Sequence, residues 1–195
     1  MVYQILRLVN GKVLFPIRYK FLANKLSSYL KNSSKIIDVG SSNGKLSYLL
    51  IQKKPHLDIT GIDTHILSQQ YIHIDQYDGK HLPYADGAFD TAMVIDVLHH
   101  DDFVENLVRE ITRVSSKYVL IKDHFYESST QFKMLKIADR IGNAPYGINL
   151  PFNYLTMDEW HTLFKKLHLK IIKHETFYYA PIDITNNVIF LLEKI

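Results

Sequence analysis

Residues 36–44 read Ile-Ile-Asp-Val-Gly-Ser-Ser-Asn-Gly. A short apolar run passes into a glycine-bearing turn, and a helical pattern follows. Gly40 permits a sharp turn and leaves no Cβ in the way of an approaching ligand. The start of the next helix offers free N–H groups to an electronegative ligand. Asp63 falls 23 residues after Gly40, at the predicted end of the next strand. A carboxylate placed there accepts hydrogen bonds from two ribose hydroxyls. A nicotinamide-dinucleotide site is the obvious competitor. Its fingerprint is G-x-G-x-x-G, however, and the glycines here are spaced differently, with an acidic residue before the first of them.

The rest of the chain repeats the alternation of strand and helix. Strand patterns fall at 35–39, 59–62, 72–74, 91–97 and 118–121, and helical ones at 44–53 and 102–113. After Asp123 a helix near 130–141 and a loop from Gly142 to Tyr154 interrupt the order. Thr156 and Glu159 have the spacing of a capping box for a helix ending near Leu167. Strands at 170–177 and 188–193, joined through Pro181, close the chain as an antiparallel pair. The expected fold is α/β: a Rossmann-like, doubly wound, seven-stranded mixed sheet with its last strand antiparallel and helices on both faces.

The chain has 195 residues, which is one domain. We divide it into an N-terminal helical lid at 1–31, a cofactor-binding half at 35–125, and an acceptor-side insertion with the strand pair at 126–195. The lid pattern is broken near Gly11 and at Pro16, and Tyr19, Leu22, Leu26 and Tyr29 share a helical face. The absence of cysteine excludes disulfides, thiolate zinc sites and cysteine nucleophiles. No apolar run approaches the roughly 18 residues of a membrane span, and no secretory pattern opens the chain, so the expected location is cytoplasmic. Seven basic and no acidic residues precede Asp38, whereas the remainder holds 16 basic and 20 acidic residues. Residues 1–35 therefore suit peripheral contact with an anionic surface, with the lid's cations turned outward.

These motifs resemble the class I S-adenosylmethionine-dependent methyltransferases, of the small single-domain type that includes the ubiquinone and menaquinone biosynthetic enzymes. Asp38, Gly40 and Gly44 match the family's first motif, and Ser42 stands in place of its middle glycine. Asp78 to Asp90 (Asp-Gly-Lys-His-Leu-Pro-Tyr-Ala-Asp-Gly-Ala-Phe-Asp) is a second match, and Val94 to His100 a third. Segments 121–124, 139–147 and 150–154 resemble a bacterial subgroup whose substrate is not settled. The resemblance implies S-adenosylmethionine as cofactor and S-adenosylhomocysteine as product. It assigns cofactor contacts to Asp38, Gly40, Ser42, Gly44, Asp63, Asp78, Gly79 and Asp96, with Asp78 on the adenine amino group.

The expected partner is a small, apolar or amphipathic acceptor. Tyr146, Phe152, Tyr154, Trp160, Phe177, Tyr178 and Tyr179 crowd the C-terminal third and supply core and pocket walls. Asn143 to Tyr146 superficially resembles the N-P-P-Y motif of amino-methylating nucleic-acid enzymes but lies outside its expected place after the fourth strand. It reads as a loop. Nucleic acid is thus not the expected partner. The alternatives are an RNA or protein methyltransferase docking through the basic N-terminus, and a non-catalytic protein that keeps the fold, suggested by Ser42.

For acid–base work the candidates are His124, after the fifth strand, and His100, after the fourth. His99 and His100 are adjacent and are expected to face different ways. Asp123 is not expected to orient the His124 ring, because neighbours on an extended segment point apart. No metal site is expected.

Overall fold

In the computed structural model, residue 4 and residues 10–31, 34–143, 146–180 and 183–195 are described. Seven strands make one sheet in the order β3-β2-β1-β4-β5-β7-β6. They are β1 (Lys35–Val39), β2 (Asp58–Asp63), β3 (Ile74–Gln76), β4 (Phe89–Ile95), β5 (Ser115–His124), β6 (Leu169–Phe177) and β7 (Asn187–Lys194). β1 to β5 pair in parallel, and β7 runs antiparallel between β5 and β6. The order reverses beside β1, where β2 lies on one side and β4 on the other. Open α/β sheets hold ligands at the carboxyl ends of strands at such a switch point.

Alternation along each strand sends neighbours to opposite faces. Ile36, Met93, Leu120 and Ile189 join one apolar cluster with Leu22, Leu26 and Leu50. Those three come from helices α1 (Phe15–Leu26) and α2 (Lys45–Lys53). Ile37, Ala92, Val94, Val119, Ile121 and Phe190 join the other with Val108, Ile111, Trp160 and Phe164. These come from α3 (Val104–Val114) and, beyond α4 (Ser129–Asn143), from α5 (Met157–Lys166). The sheet is thus covered on both sides. Thr156 and Glu159 form the expected capping box at the start of α5.

Several local expectations are corrected. Pro16 does not break the helical path; it sits in the first turn of α1, just past the point where the helical form changes. Gly11 lies in a π-helical turn, Asn10–Leu14, that runs directly into α1. The third strand is displaced to 74–76, where it pairs with β2. β4 ends at Ile95, and Asp96 turns the chain with φ of +57°. β5 is longer than expected and carries Asp123 and His124 within the sheet, because β7 pairs with it as far as His124. Asn143 closes α4 and is not in a loop. Arg7, the N-terminal helical reading before Asn10 apart from residue 4, the pair 144–145 and the Pro181 connection lie outside the described residues.

Candidate functional site

The turn after β1 is built from left-handed backbone. Gly40, Ser42 and Gly44 all have positive φ, at +74°, +54° and +73°. A Cβ on Gly40 would run into the Val97 side chain, and one on Gly44 into Ile72. Ser42 occupies a conformation that suits glycine, which gives its departure from the family motif a backbone cost. Its N–H donates to Asp63 Oδ2 at 2.8 Å, so the turn is tied to the end of the neighbouring strand. The other Asp63 oxygen accepts from the His65 N–H at 3.1 Å. Each carboxylate oxygen keeps acceptor capacity for a further donor. Asp38 lies beneath, 4% exposed, and accepts from the Ser47 hydroxyl at 2.5 Å. Burial pushes its carboxyl up to about 7, against the Ser47 bond, with Asp63 adding to the rise.

Asp78 is at the outer rim, where one oxygen accepts from the Lys80 and His81 N–H groups at 2.7 and 2.8 Å. The His81 and Lys80 backbone bonds hold its carboxyl below the ordinary value. It therefore stays an anion with one oxygen free of these bonds. Gly79 beside it has φ of +81°. Two rim carboxylates and a left-handed glycine turn between them match the donor and acceptor pattern of an adenosyl group, so the residues fit S-adenosylmethionine. Asp38, Gly40, Ser42, Gly44, Asp63, Asp78 and Gly79 cluster at this end of β1 and β2.

Asp96 follows β4, just before Val97, whose side chain lies against Gly40. The Asp96 carboxylate meets Arg18 Nη2 at 2.6 Å, the buried Lys122 ammonium, and His124 Nε2 at 3.4 Å. Burial pushes this carboxyl upward, but the charges of Arg18, Lys122 and His124 outweigh that and hold it well below the usual range. Lys122 also donates to Asn187 Oδ1 at 2.7 Å. The lid's cations are not all outward, then. Arg18 turns in toward Asp96, because a buried carboxylate needs counter-charge, and Lys25 pairs with Glu175 at 2.5 Å.

The histidines form one cluster. His99 and His100 lie in a 3-10 turn, Leu98–His100, with ring centroids 4.0 Å apart. The expectation that they face different ways is therefore corrected: in this tighter turn the two rings, tilted by 46°, both come near Asp139. His99 Nδ1 meets Asp123 Oδ1 at 2.5 Å. Asp123 thus orients His99 from the adjacent strand and not its neighbour His124, as alternation along the strand requires. His99 Nε2 and His100 Nε2 lie 3.9 and 3.8 Å from Asp139 Oδ1 on α4. Asp139 also accepts from the Tyr154 hydroxyl at 2.9 Å and from the Asn143 amide. The Tyr154 ring stacks on His99 with centroids 5.1 Å apart.

Burial lowers the His99 basicity, but Asp123, Asp139 and Asp96 outweigh it and raise the ring above its ordinary value. His100 is lowered, by burial and then by His99. His124 is lowered well below its ordinary value by burial and by Lys122. Its Nδ1 faces the Asn186 carbonyl at 3.3 Å. Sequence reasoning missed Arg18, Lys122 and Asp139. Lys122 carried a signal, a lone cation at the end of a buried run, whereas Asp139 looks like any polar residue on an amphipathic helix.

Comparison with known proteins follows the same lines. The methyltransferase-domain family matches residues 17–174. No curated protein matches the sequence. Among solved structures, an S-adenosylmethionine-dependent methyltransferase from Thermotoga maritima is similar at 16% identity and TM-score 0.67, covering 100% of both chains. The 1,6-didemethyltoxoflavin-N1-methyltransferase of Burkholderia thailandensis, solved with its acceptor and S-adenosylhomocysteine, is similar at 12% identity and TM-score 0.69. That match covers 95% of this chain and 82% of the other. An S-adenosylmethionine-dependent methyltransferase from Methanosarcina mazei gives 16% identity and TM-score 0.65 over 88% and 97%. The chain belongs to the methyltransferase-domain family and is a class I S-adenosylmethionine-dependent methyltransferase.

Proposed function

We infer that the chain methylates a small, apolar or amphipathic acceptor held over the carboxyl ends of β4 and β5. The observation that carries this reading is the cluster of Tyr154 with His99, His100 and His124, which begins two residues after Val97, the side chain that lies against Gly40 of the turn that suits the cofactor. Aromatic walls with a few convergent polar groups are what a small-molecule site needs. The Burkholderia relative acts on a small heterocycle, which is in keeping with such an acceptor.

In this reading Asp63 takes the ribose hydroxyls and Asp78 the adenine amino group. Gly40, Ser42 and Gly44 let the backbone approach the cofactor, with Gly79 beside the adenine. Asp38 fixes the turn from below through Ser47. Bound S-adenosylmethionine supplies an electrophilic methyl on a good leaving group. The protein's own work is alignment of the acceptor and, for a hydroxyl acceptor, removal of its proton. His124 is the proposed proton acceptor. Burial keeps it neutral, and once protonated both its N–H groups have acceptors waiting, the Asn186 carbonyl and the Asp96 carboxylate. Asp96 is then a positioning group for His124 and a seat for Arg18, and residues 1–31 act as a lid on that side.

The rival reading, docking of RNA or protein through the basic N-terminus, is weakened because Arg18 and Lys25 are engaged within the chain. The test is incubation with S-adenosylmethionine and a panel of small aromatic hydroxyl and amine compounds, read as S-adenosylhomocysteine by mass spectrometry. Acceptor-dependent product supports the reading. Turnover only with RNA or protein, falling steeply with salt, overturns it.

A further inference from the structure

We propose that His99, His100 and Asp139 form a binding site for a divalent transition-metal cation of the zinc type. One ligand atom from each lies within 4.8 Å of the other two. Both imidazole Nε2 atoms point toward the same oxygen, Asp139 Oδ1, at 3.9 and 3.8 Å. Donors bound at about 2.1 Å in a tetrahedron stand about 3.4 Å apart, so the two histidine-to-Asp139 separations must each close by about half an ångström.

The surroundings have the form that such sites require. A ligating histidine gives its other ring nitrogen to a carboxylate, which fixes the tautomer and the ring. Asp123 does this for His99 at 2.5 Å. The ligating carboxylate is itself held, here by Tyr154 and Asn143. Three elements converge on one point: the turn after β4, the end of β5, and α4.

Charge points the same way. Asp123 and Asp139 are buried carboxylates, and the full cations nearby, Arg18 and Lys122, are paired with Asp96. A divalent ion balances both. His99 alone has a carboxylate on its second ring nitrogen; His100 Nδ1, the nitrogen turned from the ion, is buried with no hydrogen-bond partner among the described residues, as is Asp123 Oδ2. Two imidazoles with one carboxylate favour zinc, cobalt or iron over magnesium, which takes oxygen ligands. Access is through the His100 edge, whose side chain is 17% exposed.

Three protein ligands leave a coordination position open. An oxygen or nitrogen of the acceptor would fill it, and a bound hydroxyl would ionise more readily. That role rests on the methyl-transfer reading; the binding of the ion does not. The experiment therefore reads the ion directly. The full-length chain, stripped with chelator and dialysed, is titrated with Co²⁺ by visible absorption, then with Zn²⁺ in competition. The expected result is one equivalent of Co²⁺ with ligand-field bands, displaced by Zn²⁺ and not by Mg²⁺.

Asp139→Asn and His100→Ala should each weaken binding at least tenfold, while His81→Ala, at an exposed histidine, leaves it unchanged. Circular dichroism checks that each variant is folded. No bands in the wild type, or a stoichiometric site of unaltered affinity in the folded Asp139→Asn and His100→Ala proteins, overturns the proposal. Cofactor binding, followed separately by calorimetry, distinguishes loss of this site from failure of the methyltransferase reading.

Discussion

Arg18, on the first helix, reaches across the edge of the sheet to pair with Asp96 at 2.6 Å, immediately beyond the end of β4. The contact links the N-terminal segment to the place where the acceptor is proposed to lie. It also completes a charge group in which Lys122, fully buried, sits on the other side of the same carboxylate. Arg18 is 31% exposed at its side chain, so its pairing is worth less than a fully buried one. Arg18→Gln is expected to cost about 1–2 kcal/mol of stability, between the values for exposed and buried pairs. Chemical denaturation measures it. Deleting residues 1–15 should spare S-adenosylmethionine affinity and lower acceptor turnover; unchanged turnover would remove the lid.

Asp63 is the carboxylate on which cofactor affinity is expected to depend most. Both its oxygens accept backbone N–H bonds, which fix its orientation without exhausting its acceptor capacity. Asp63→Ala should weaken S-adenosylmethionine by about 1.5–3 kcal/mol, the scale of hydrogen bonds to a charged group. Titration calorimetry on both proteins decides this, and equal affinities would exclude Asp63 from the site. Asp63→Asn keeps one acceptor oxygen and should fall between the two.

The sheet was legible because each strand is marked locally. Ile36 and Ile37 alternate between two buried faces, and Gly40 and Gly44 punctuate the turn. The turn proposed to hold the cofactor was legible for the same reason: Asp38, Gly40, Gly44 and Asp63 follow the rhythm of one strand–turn–helix–strand unit. The acceptor end was not. His99, Asp123 and Asp139 come together from elements separated by 24 and 16 residues, and nothing in their local patterns announces the meeting. The two histidines were misjudged because a regular strand or α-helix was assumed where the chain makes a 3-10 turn. Arg18 was read as a solvated charge because its partner, Asp96, is distant in sequence and buried only by folding.

Asp38 gives the fold a pH dependence of unusual sign. Its folded carboxyl titrates at about 7, above its ordinary 3.8, chiefly because it is buried. Between those values the unfolded chain has released the proton and the folded chain keeps it. The folded state therefore binds more protons, and stability falls as pH rises from about 4 to 7. The slope from this group is at most about 1.4 kcal/mol per pH unit. Asp38→Asn keeps an oxygen to accept from Ser47 and removes the titration. Urea unfolding of the two proteins at several pH values should show the variant gaining on the wild type as pH rises. Parallel curves would mean that Asp38 ionises in the folded state as it does in water.

His124→Ala tests the proposed proton acceptor. The ring lies 3.4 Å from Asp96 and 3.3 Å from the Asn186 carbonyl, two acceptors for at most one N–H while it is neutral. A proton arriving from a hydroxyl acceptor would let the second be bonded as well, which offsets part of the penalty that burial and Lys122 place on the charged ring. Removing the ring should lower kcat by roughly a hundredfold or more, leave S-adenosylmethionine affinity nearly unchanged, and alter the acceptor KM little. An amine acceptor, which can lose its proton after the methyl has moved, should be far less affected than a hydroxyl one. Equal losses with both acceptor types would assign His124 to packing against His99 and Tyr154. Undiminished turnover with a hydroxyl acceptor would leave alignment as the protein's whole contribution to the methyl transfer.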